Sequence, residues 1–242
     1  MAQESATLPR LRTILPLTAG VNAAGHLTIG GCDTVELAQR FGTPLYVFDE
    51  ETLRSQCRAF RDAFSRRYPK SMVAYAAKAY AGPTLLKLIA AEGLGLDVVS
   101  GGELAIARSA GFPPERIHLH GNNKSAEELH EALQAGVGRI VVDNLDELAL
   151  LEEIAGRLGR PADILLRLSP GVDPHTHAKI TTGILDTKFG MPIQTGDAET
   201  AVQRALATPH LHLLGYHCHI GSQVFETEAY AEAVEGMIAF AV

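Results

Sequence analysis

Lys78 lies in a stretch of sequence that favours carbonyl chemistry. The apolar run VAYAAKAY, residues 73–80, predicts a buried strand. Lysine is rare in strands and is seldom buried without a partner. A desolvated lysine loses its proton more readily, and the neutral amine can attack a carbonyl carbon to form a Schiff base. Alternation places Ala74, Ala76 and Lys78 on one face, where small side chains leave room for a flat molecule. A lysine that extends its charge into solvent from a strand end is the alternative explanation.

Other polar side chains lie at or near the carboxyl ends of predicted strands. They are Asp97, His120, Asn144, Arg167 and His219. A buried charge needs a partner, so Asp97 is expected to face Lys78, Arg167 or a cofactor proton. Backbone amides beside Asp97 would satisfy the same carboxylate.

The segment YHCHIGSQ, residues 216–223, predicts a strand end followed by a polar turn. His217 and His219 are expected on one face of the strand, and the Gly-Ser turn that contains Ser222 can hold a phosphate. Two core histidines before a polar turn are the alternative interpretation.

The ten histidines raise the question of a metal centre. His175 and His177 form one H-x-H pair, and His217 and His219 form another. Neither pair has cysteine or carboxylate ligands at a recognisable spacing, so we predict no metal site.

The elements that position these residues follow a repeated β-α pattern. The apolar runs are 72–79, 93–99, 117–121, 139–143, 163–168 and 212–220, and helical periodicity fills most of the intervals. Strands that are apolar on both faces indicate a parallel sheet covered by helices. Ligands bind at the carboxyl ends of strands in a TIM barrel and in a doubly wound sheet alike. No GxGxxG follows the first strand, which disfavours dinucleotide binding.

The sequence before the repeats has mixed signals. Residues 27–42 predict a strand, a turn and a helix that ends at Gly42, and TPLYVFDE, residues 43–50, predicts a further strand. A helix is expected to begin near Glu50. Farther along, GNNKS predicts a loop with a helix cap at Ser125, and residues 179–191, which contain Lys188, predict a loop.

Composition limits the class of protein. The 242 residues suffice for one large α/β barrel, and 46% of them are hydrophobic. The net charge of −7 and the lack of a basic stripe disfavour nucleic-acid binding. Three scattered cysteines favour reduced thiols, and no signal peptide or membrane-spanning run is evident, so a cytoplasmic location is expected.

Eight segments combine into a more specific pattern. They are GTPLYVFDEETLR, VAYAAKAY, GLGLDVVSGGEL, HGNNKS, VDNLDEL, LRLSPGVDPHTHAKITTG, KFGM and GYHCHIGSQ, in that order. Together they resemble the diaminopimelate decarboxylase branch of the fold-type III pyridoxal-phosphate enzymes, which also include ornithine and arginine decarboxylases and alanine racemase. HGNNKS, PHTH and HIGSQ favour the diaminopimelate branch.

The resemblance implies a fold, a cofactor and a reaction. The implied fold is a TIM-type (β/α)8 barrel over residues 43–242, with residues 1–42 joining a separate β-domain. The implied cofactor is pyridoxal 5'-phosphate, bound to Lys78 as a Schiff base, with His219 on the pyridine ring and Ser222 at the phosphate. The implied cofactor-lining residues are Ala76, Lys78, Asp97, His120, Arg167, His219 and Ser222. The implied reaction converts meso-2,6-diaminopimelate, the small-molecule substrate, to L-lysine.

The chain also lacks parts of that family pattern. It has about six barrel strands, no EPGR-type motif, no glycine-rich phosphate loop and no Cys and Tyr motifs of the β-domain. We therefore expect a barrel that is incomplete at its C-terminus, a fragment with little or no activity of its own, and a homodimer for the full-length protein. A related decarboxylase or racemase and a non-catalytic pyridoxal-phosphate-binding barrel are the alternative functions.

Overall fold

The computed structural model describes residues 11–171, 189–222 and 224–242. Backbone contacts divide these residues into two compact units. The first comprises residues 11–73 with 91–94, and the second comprises residues 74–90 with the described part of 95–242. The predicted boundary between residues 42 and 43 stays a prediction.

The first unit is a small β-meander followed by two helices. Its elements are β1 (Gly20–Val21), β2 (Leu27–Ile29), β3 (Cys32–Asp33), α1 (Thr34–Phe41) and α2 (Glu50–Ser65). Asp33 begins α1 because its side chain accepts hydrogen bonds from two backbone amides of the first turn. Asp49 caps α2 by accepting a hydrogen bond from the Thr52 amide, and the helix begins at Glu50, as the sequence predicts.

The predicted strand at TPLYVFDE is wrong. Residues 43–49 form no strand, and the alternate side chains Leu45 and Val47 are 40% and 37% exposed while Tyr46 is 89% exposed. Strand propensity stabilises a segment only when a neighbouring strand supplies hydrogen bonds and covers one face. No strand among the described residues pairs with this segment, so its β-prone sequence remains irregular.

Glu92 joins the segment 91–94 to helix α2 within this unit. Its carboxylate accepts hydrogen bonds of 2.8 Å from Arg54 Nη1 and Arg58 Nε, and Arg61 Nη1 donates to the Glu92 carbonyl. The glutamate side chain is only 5% exposed. The hydrogen bonds from Arg58 and Arg54 lower the pKa of Glu92 to about 2.

This depressed pKa predicts acid sensitivity of the first unit. A carboxyl group with a lower pKa in the folded state contributes stability that is present above the unfolded pKa, near 4.5, and is lost as the pH falls toward about 2. We expect Glu92→Gln to flatten the fall in unfolding free energy across that window, as measured by denaturant titration at each pH. Equal pH slopes for the wild-type and Glu92→Gln chains would contradict the prediction.

The second unit contains the repeated β-α elements. Its strands are β4 (Ala74–Ala76), β5 (Gly95–Val98), β6 (Ile117–Leu119), β7 (Arg139–Val142), β8 (Ala162–Ser169), β9 (Met191–Pro192) and β10 (Leu211–His217). Its helices are α3 (Pro83–Ala91), α4 (Gly101–Ser109), α5 (Ala126–Ala135), α6 (Leu145–Leu158), α7 (Asp197–Ala207) and α8 (Glu228–Ala241). All six predicted strands are confirmed, and Ser125 caps α5 through a capping box, as the sequence predicts.

The main sheet is parallel, with the strand order β10-β8-β7-β6-β5-β4, and the short β9 pairs with β8. This order follows the chain without a reversal, whereas a doubly wound sheet has a switch point. The predicted architecture, an incomplete (β/α) barrel, is confirmed. Strand residues supply much of the buried core, including Leu96, Ile117, Leu119, Ile140, Ile164, Leu166 and Leu168.

Gly138 allows the turn before β7 to approach the turn before β6. Its amide donates a 2.9 Å hydrogen bond to the Pro114 carbonyl, and a Cβ at this position would overlap the Glu115 carbonyl oxygen. We expect Gly138→Ala to lower the free energy of unfolding by about 1–3 kcal/mol, because backbone must move to admit the methyl group. The measurement is denaturant unfolding.

Gly102 is the matched control for that substitution. It lies in α4, and an added Cβ would meet only Ser100 Oγ at 3.8 Å. Because alanine favours helix more than glycine does, Gly102→Ala is expected to be neutral or to stabilise by up to about 1 kcal/mol. Equal losses for Gly138→Ala and Gly102→Ala would show that the close approach is unimportant.

Candidate active site

Lys78 lies directly after strand β4, in a single turn of 3-10 helix formed by Ala77–Ala79. The prediction that it sits on a buried strand is wrong, because β4 ends at Ala76 and Lys78 is exposed. The physical reason is the position of β4 at the end of the described sheet, where only β5 pairs with it. Ala76 itself is half-buried and pairs in parallel register with Asp97. Lys78 therefore lies two residues beyond the β4 residue that pairs with Asp97, at the same end of the sheet.

Asp97 faces two histidines of the next segment along the sheet. Its Oδ1 lies 3.4 Å from His118 Nδ1 and 3.3 Å from His120 Nε2. These contacts do not meet the geometry of full hydrogen bonds, so Asp97 Oδ1 has polar neighbours but no hydrogen-bond partner among the described residues. Burial opposes the charge of Asp97, but the facing histidines outweigh burial and lower the pKa of Asp97 well below its usual range. Asp97 is thus held as a carboxylate.

No role was predicted for His118 from the sequence, although its spacing from His120 is a signal that could have indicated one. It forms an H-x-H pair with His120, and β-alternation places both histidines on one face of β6 and its extension. The parallel register pairs His118 with Asp97. The chain has four H-x-H pairs in all, and the metal prediction above rests on only two of them, His175/His177 and His217/His219.

Asp97, His118 and His120 lie close enough together to offer three ligand atoms to a metal ion, within 4.8 Å of one another. A contact of His118 argues against that use. Arg139 Nη1, which can only donate, lies 3.0 Å from His118 Nε2, so this nitrogen accepts and Nδ1 carries the proton that faces Asp97. A metal-bound histidine instead donates its second N–H to an acceptor.

His217, at the end of β10, completes this cluster. Its ring lies edge-on to the His120 ring, with 5.0 Å between the ring centroids. Burial, followed by the nearby His120 and Arg167, lowers the pKa of His217 to about 3, so the ring is neutral. Asp97 Oδ1 and His217 Nδ1 are buried without a hydrogen-bond partner among the described residues. Such atoms fit the binding of a polar ligand at this rim.

Arg167, on β8, is paired with a carboxylate that the sequence analysis did not single out. Its Nη1 lies 3.2 Å from Asp143 Oδ1, and its guanidinium carbon lies 4.7 Å from the centroid of the Phe189 ring. The expected balance between Arg167 and Asp97 is therefore replaced by an Arg167–Asp143 ion pair. Asp143 follows β7, the strand next to β8, which brings the two charges together.

A buried ion pair lies behind these residues. Lys124 Nζ is 2.7 Å from Glu147 Oε1, and the two side chains are 2% and 4% exposed. The sequence predicts only a loop and a helix cap here, and 23 residues separate the partners. The GNNKS sequence alone does not indicate that Lys124 is buried.

His219 and Ser222 follow the end of β10. The strand ends at His217, so the prediction that His217 and His219 share a strand face is wrong, and both His219 and Ser222 are exposed. The bulge between Leu213 and Gly215 shows that β10 is irregular before it ends. His175, His177 and Lys188 lie outside the described residues. Within the described ranges, no helix is long and apolar enough to cross a membrane.

An incomplete parallel α/β barrel whose rim carries a lysine, a fixed carboxylate and the neutral ring of His217 fits the class of protein that binds a carbonyl cofactor at its strand ends. A family model described as the pyridoxal binding domain of pyridoxal-dependent decarboxylases matches residues 50–242. The chain belongs to this family of pyridoxal-dependent decarboxylases, which confirms the predicted cofactor class at the level of the family.

The more specific resemblance is also confirmed by curated relatives. The chain is 51% identical over 218 residues to the diaminopimelate decarboxylase of Bacillus subtilis (strain 168), covering 90% of this chain and 50% of that protein. It is 47% identical over 225 residues to the diaminopimelate decarboxylase of Mycobacterium tuberculosis (strain H37Rv), covering 93% of this chain and 50% of that protein. The chain therefore spans about half the length of the curated relatives it matches.

Solved structures agree with the sequence comparison. Diaminopimelate decarboxylase from M. jannaschii, in co-complex with L-lysine, matches with a TM-score of 0.85 and 38% identity, covering 93% of this chain and 52% of that chain. The Helicobacter pylori enzyme complexed with L-lysine matches with a TM-score of 0.77 and 35% identity, covering 86% of this chain and 52% of that chain. A lysine/ornithine decarboxylase from Vibrio vulnificus, at 24% identity and a TM-score of 0.70, shows the shared fold alone.

Proposed function

We propose that the protein containing this chain uses pyridoxal phosphate to decarboxylate meso-2,6-diaminopimelate to L-lysine. The observation that supports it most is the placement of Lys78 directly after β4, two residues beyond Ala76, whose register partner is Asp97. Lys78 thereby follows a strand of the same rim that carries the Asp97 carboxylate, the Arg167 cation and His217 Nδ1, a buried atom with no hydrogen-bond partner among the described residues. A curated relative that is 51% identical over 218 residues is a diaminopimelate decarboxylase. Two related structures hold L-lysine, the product of the proposed reaction.

Each side chain of the rim has a role that its surroundings support. The Lys78 amine binds the cofactor covalently, and because Lys78 is exposed it is open to reagents in solution. When bound there, pyridoxal phosphate would supply the electron sink that amino-acid decarboxylation requires. Asp97 stays ionised beside His118 and His120, so it can hold a cationic hydrogen-bond donor in place.

The remaining rim residues shape the charge and polarity of the site. Arg167, held by Asp143, supplies a fixed positive charge for an anionic group of cofactor or substrate. His217 stays neutral and leaves Nδ1 available for a hydrogen bond. His219 at the pyridine ring and Ser222 at the phosphate stay predictions from the resemblance, as do Ala76 and His120 as cofactor-lining residues. A homodimer of the full-length protein, a cytoplasmic location and a C-terminal β-domain that packs with residues 1–42 also belong to this proposal.

Two measurements test the proposed function. The chain is mixed with pyridoxal phosphate, reduced with borohydride and mapped by peptide mass, and the cofactor-derived mass is expected on Lys78. Carbon dioxide release is then compared for meso-2,6-diaminopimelate, lysine, ornithine and arginine. Each substrate is tested with the 242-residue chain and with a longer chain that also contains the part the curated relatives have and this chain does not span. Release from diaminopimelate alone supports the proposal, and preferential release from ornithine, arginine or lysine would replace it with a related decarboxylase. Failure of both chains to bind the cofactor would overturn it.

A further inference from the structure

Lys124 is a buried cation whose three ammonium protons each have an acceptor. Its Nζ lies 2.7 Å from the Gly121 carbonyl oxygen, 2.8 Å from the Val141 carbonyl oxygen and 2.7 Å from Glu147 Oε1. These acceptors belong to the turn after β6, to β7 and to the first turn of α6. One side chain therefore ties together three successive segments of the rim.

The ion pair continues, through Glu147 and Asp143, to Arg167. Glu147 Oε2 accepts a 3.1 Å hydrogen bond from the Asp143 amide, while Oε1 binds Lys124. The Asp143 carboxylate then accepts from Arg167 Nη1 at 3.2 Å. Lys124 thus fixes the backbone of Asp143, and Asp143 fixes the guanidinium of Arg167.

The same ammonium group holds the turn that carries His120. Gly121 directly follows His120 and has a φ of 119°, a conformation that suits glycine, and its carbonyl is fixed by Lys124. His120 faces Asp97 at 3.3 Å. Lys124 therefore acts on both of the polar contacts that border the proposed cofactor site, the Asp97–His120 contact and the Asp143–Arg167 pair.

Stability alone gives a poor reason for this arrangement. Burial lowers the pKa of Lys124 and raises that of Glu147, and each charge pulls the other back toward its ionised form. Apolar side chains of similar volume often replace a buried ion pair with no loss of stability. What apolar side chains cannot do is hold two carbonyl groups and an amide in fixed directions.

We propose that Lys124 and Glu147 are positioning residues that orient His120 and Arg167 for binding pyridoxal phosphate or its anionic substrate. This inference rests on the proposed function. It separates two properties that usually change together, because a variant with an apolar pair is expected to keep most of the wild-type stability and yet to bind the cofactor less well.

The test uses the double variant Lys124→Met/Glu147→Leu, with the exposed pair Glu153→Leu/Arg157→Met as matched control, since that pair lies 3.6 Å apart on the surface of α6. The double variant is expected to retain most of the wild-type stability and to weaken the binding of pyridoxal phosphate, with a dissociation constant about 10–100-fold higher, the scale of a small misplacement of binding groups. A second variant, Asp143→Ala, leaves Lys124 and Glu147 in contact and removes the anchor of Arg167. It is expected to weaken cofactor binding in the same range.

A readout without cofactor separates failure of this inference from failure of the proposed function. The Arg167 side-chain Nε–H signal, assigned by its loss in Arg167→Lys, is expected to shift and broaden in both variants but not in the surface control. Wild-type cofactor affinity together with an unshifted Arg167 signal in either variant would overturn the positioning role. If the wild-type chain binds no cofactor, the proposed function fails and the Arg167 signal alone decides whether Lys124 and Glu147 position the guanidinium.

Discussion

Lys78→Ala is expected to abolish covalent retention of pyridoxal phosphate and to reduce turnover of the proposed decarboxylase by more than about a thousandfold. The reason is that no other amine among the described rim residues follows a strand end in this way: Lys124 is buried and has acceptors for all of its protons. Loss of a covalent nucleophile costs several orders of magnitude where it has been measured. The measurement is borohydride trapping with mass detection, followed by the rate of carbon dioxide release.

Lys87→Ala is the matched control for that substitution. Lys87 lies exposed on α3, in the same unit as Lys78, and has no place in the proposed site. It is expected to leave both trapping and turnover unchanged. If Lys78→Ala retained the trapped cofactor at the wild-type level, another lysine would be the attachment point and the assignment of Lys78 would be wrong.

The strands of the second unit could be predicted from the sequence because their signal is local. A parallel strand buried on both faces, such as Arg139–Val142, is a short apolar run bounded by turns. The helices between them have Gly136 and Gly159 as left-handed C-caps, which marks their ends in the sequence. Composition and pattern therefore determine the order of elements, and the order determines the barrel-like sheet.

The surroundings of Lys78 could not be predicted in the same way. Burial of a strand residue depends on whether a neighbour covers it, and β4 has a neighbour on one side only among the described residues. The same dependence explains residues 43–49, whose strand-like sequence has no pairing partner. The sequence placed Lys78 at the correct strand end but gave the wrong degree of burial.

Charge partners were the least predictable part of the site. Arg167 pairs with Asp143 across 24 residues of sequence, and Asp97 meets His118 rather than Lys78. Several carboxylates and cations lie near the predicted strand ends, and strand register decides which of them meet. The parallel register of β5 with β6 selects His118 for Asp97, and that of β7 with β8 brings Asp143 toward Arg167. Register is fixed by the whole sheet and leaves no mark in a short motif.

The buried pair of Lys124 and Glu147 predicts the largest single loss of stability. We expect Lys124→Met to lower the free energy of unfolding by about 3–5 kcal/mol, because it leaves Glu147 buried, charged and without its cation. The double variant Lys124→Met/Glu147→Leu is expected to recover most of that loss, since two apolar side chains remove both desolvation costs. Denaturant unfolding of the wild type, both single variants and the double variant gives the coupling free energy directly.

The exposed pair of Glu153 and Arg157 is the reference against which the stability losses at Lys124 and Glu147 are compared. Its side chains are about two thirds exposed, and Arg157→Met is expected to cost less than about 1 kcal/mol. A loss for Lys124→Met no larger than that of Arg157→Met would mean that water or a rearranged side chain replaces the lysine at Glu147. If the double variant recovers stability but not cofactor binding, both this prediction and the positioning role are supported. That result would show that the ion pair orients groups at the cofactor site and that apolar side chains can replace it in stabilising the fold.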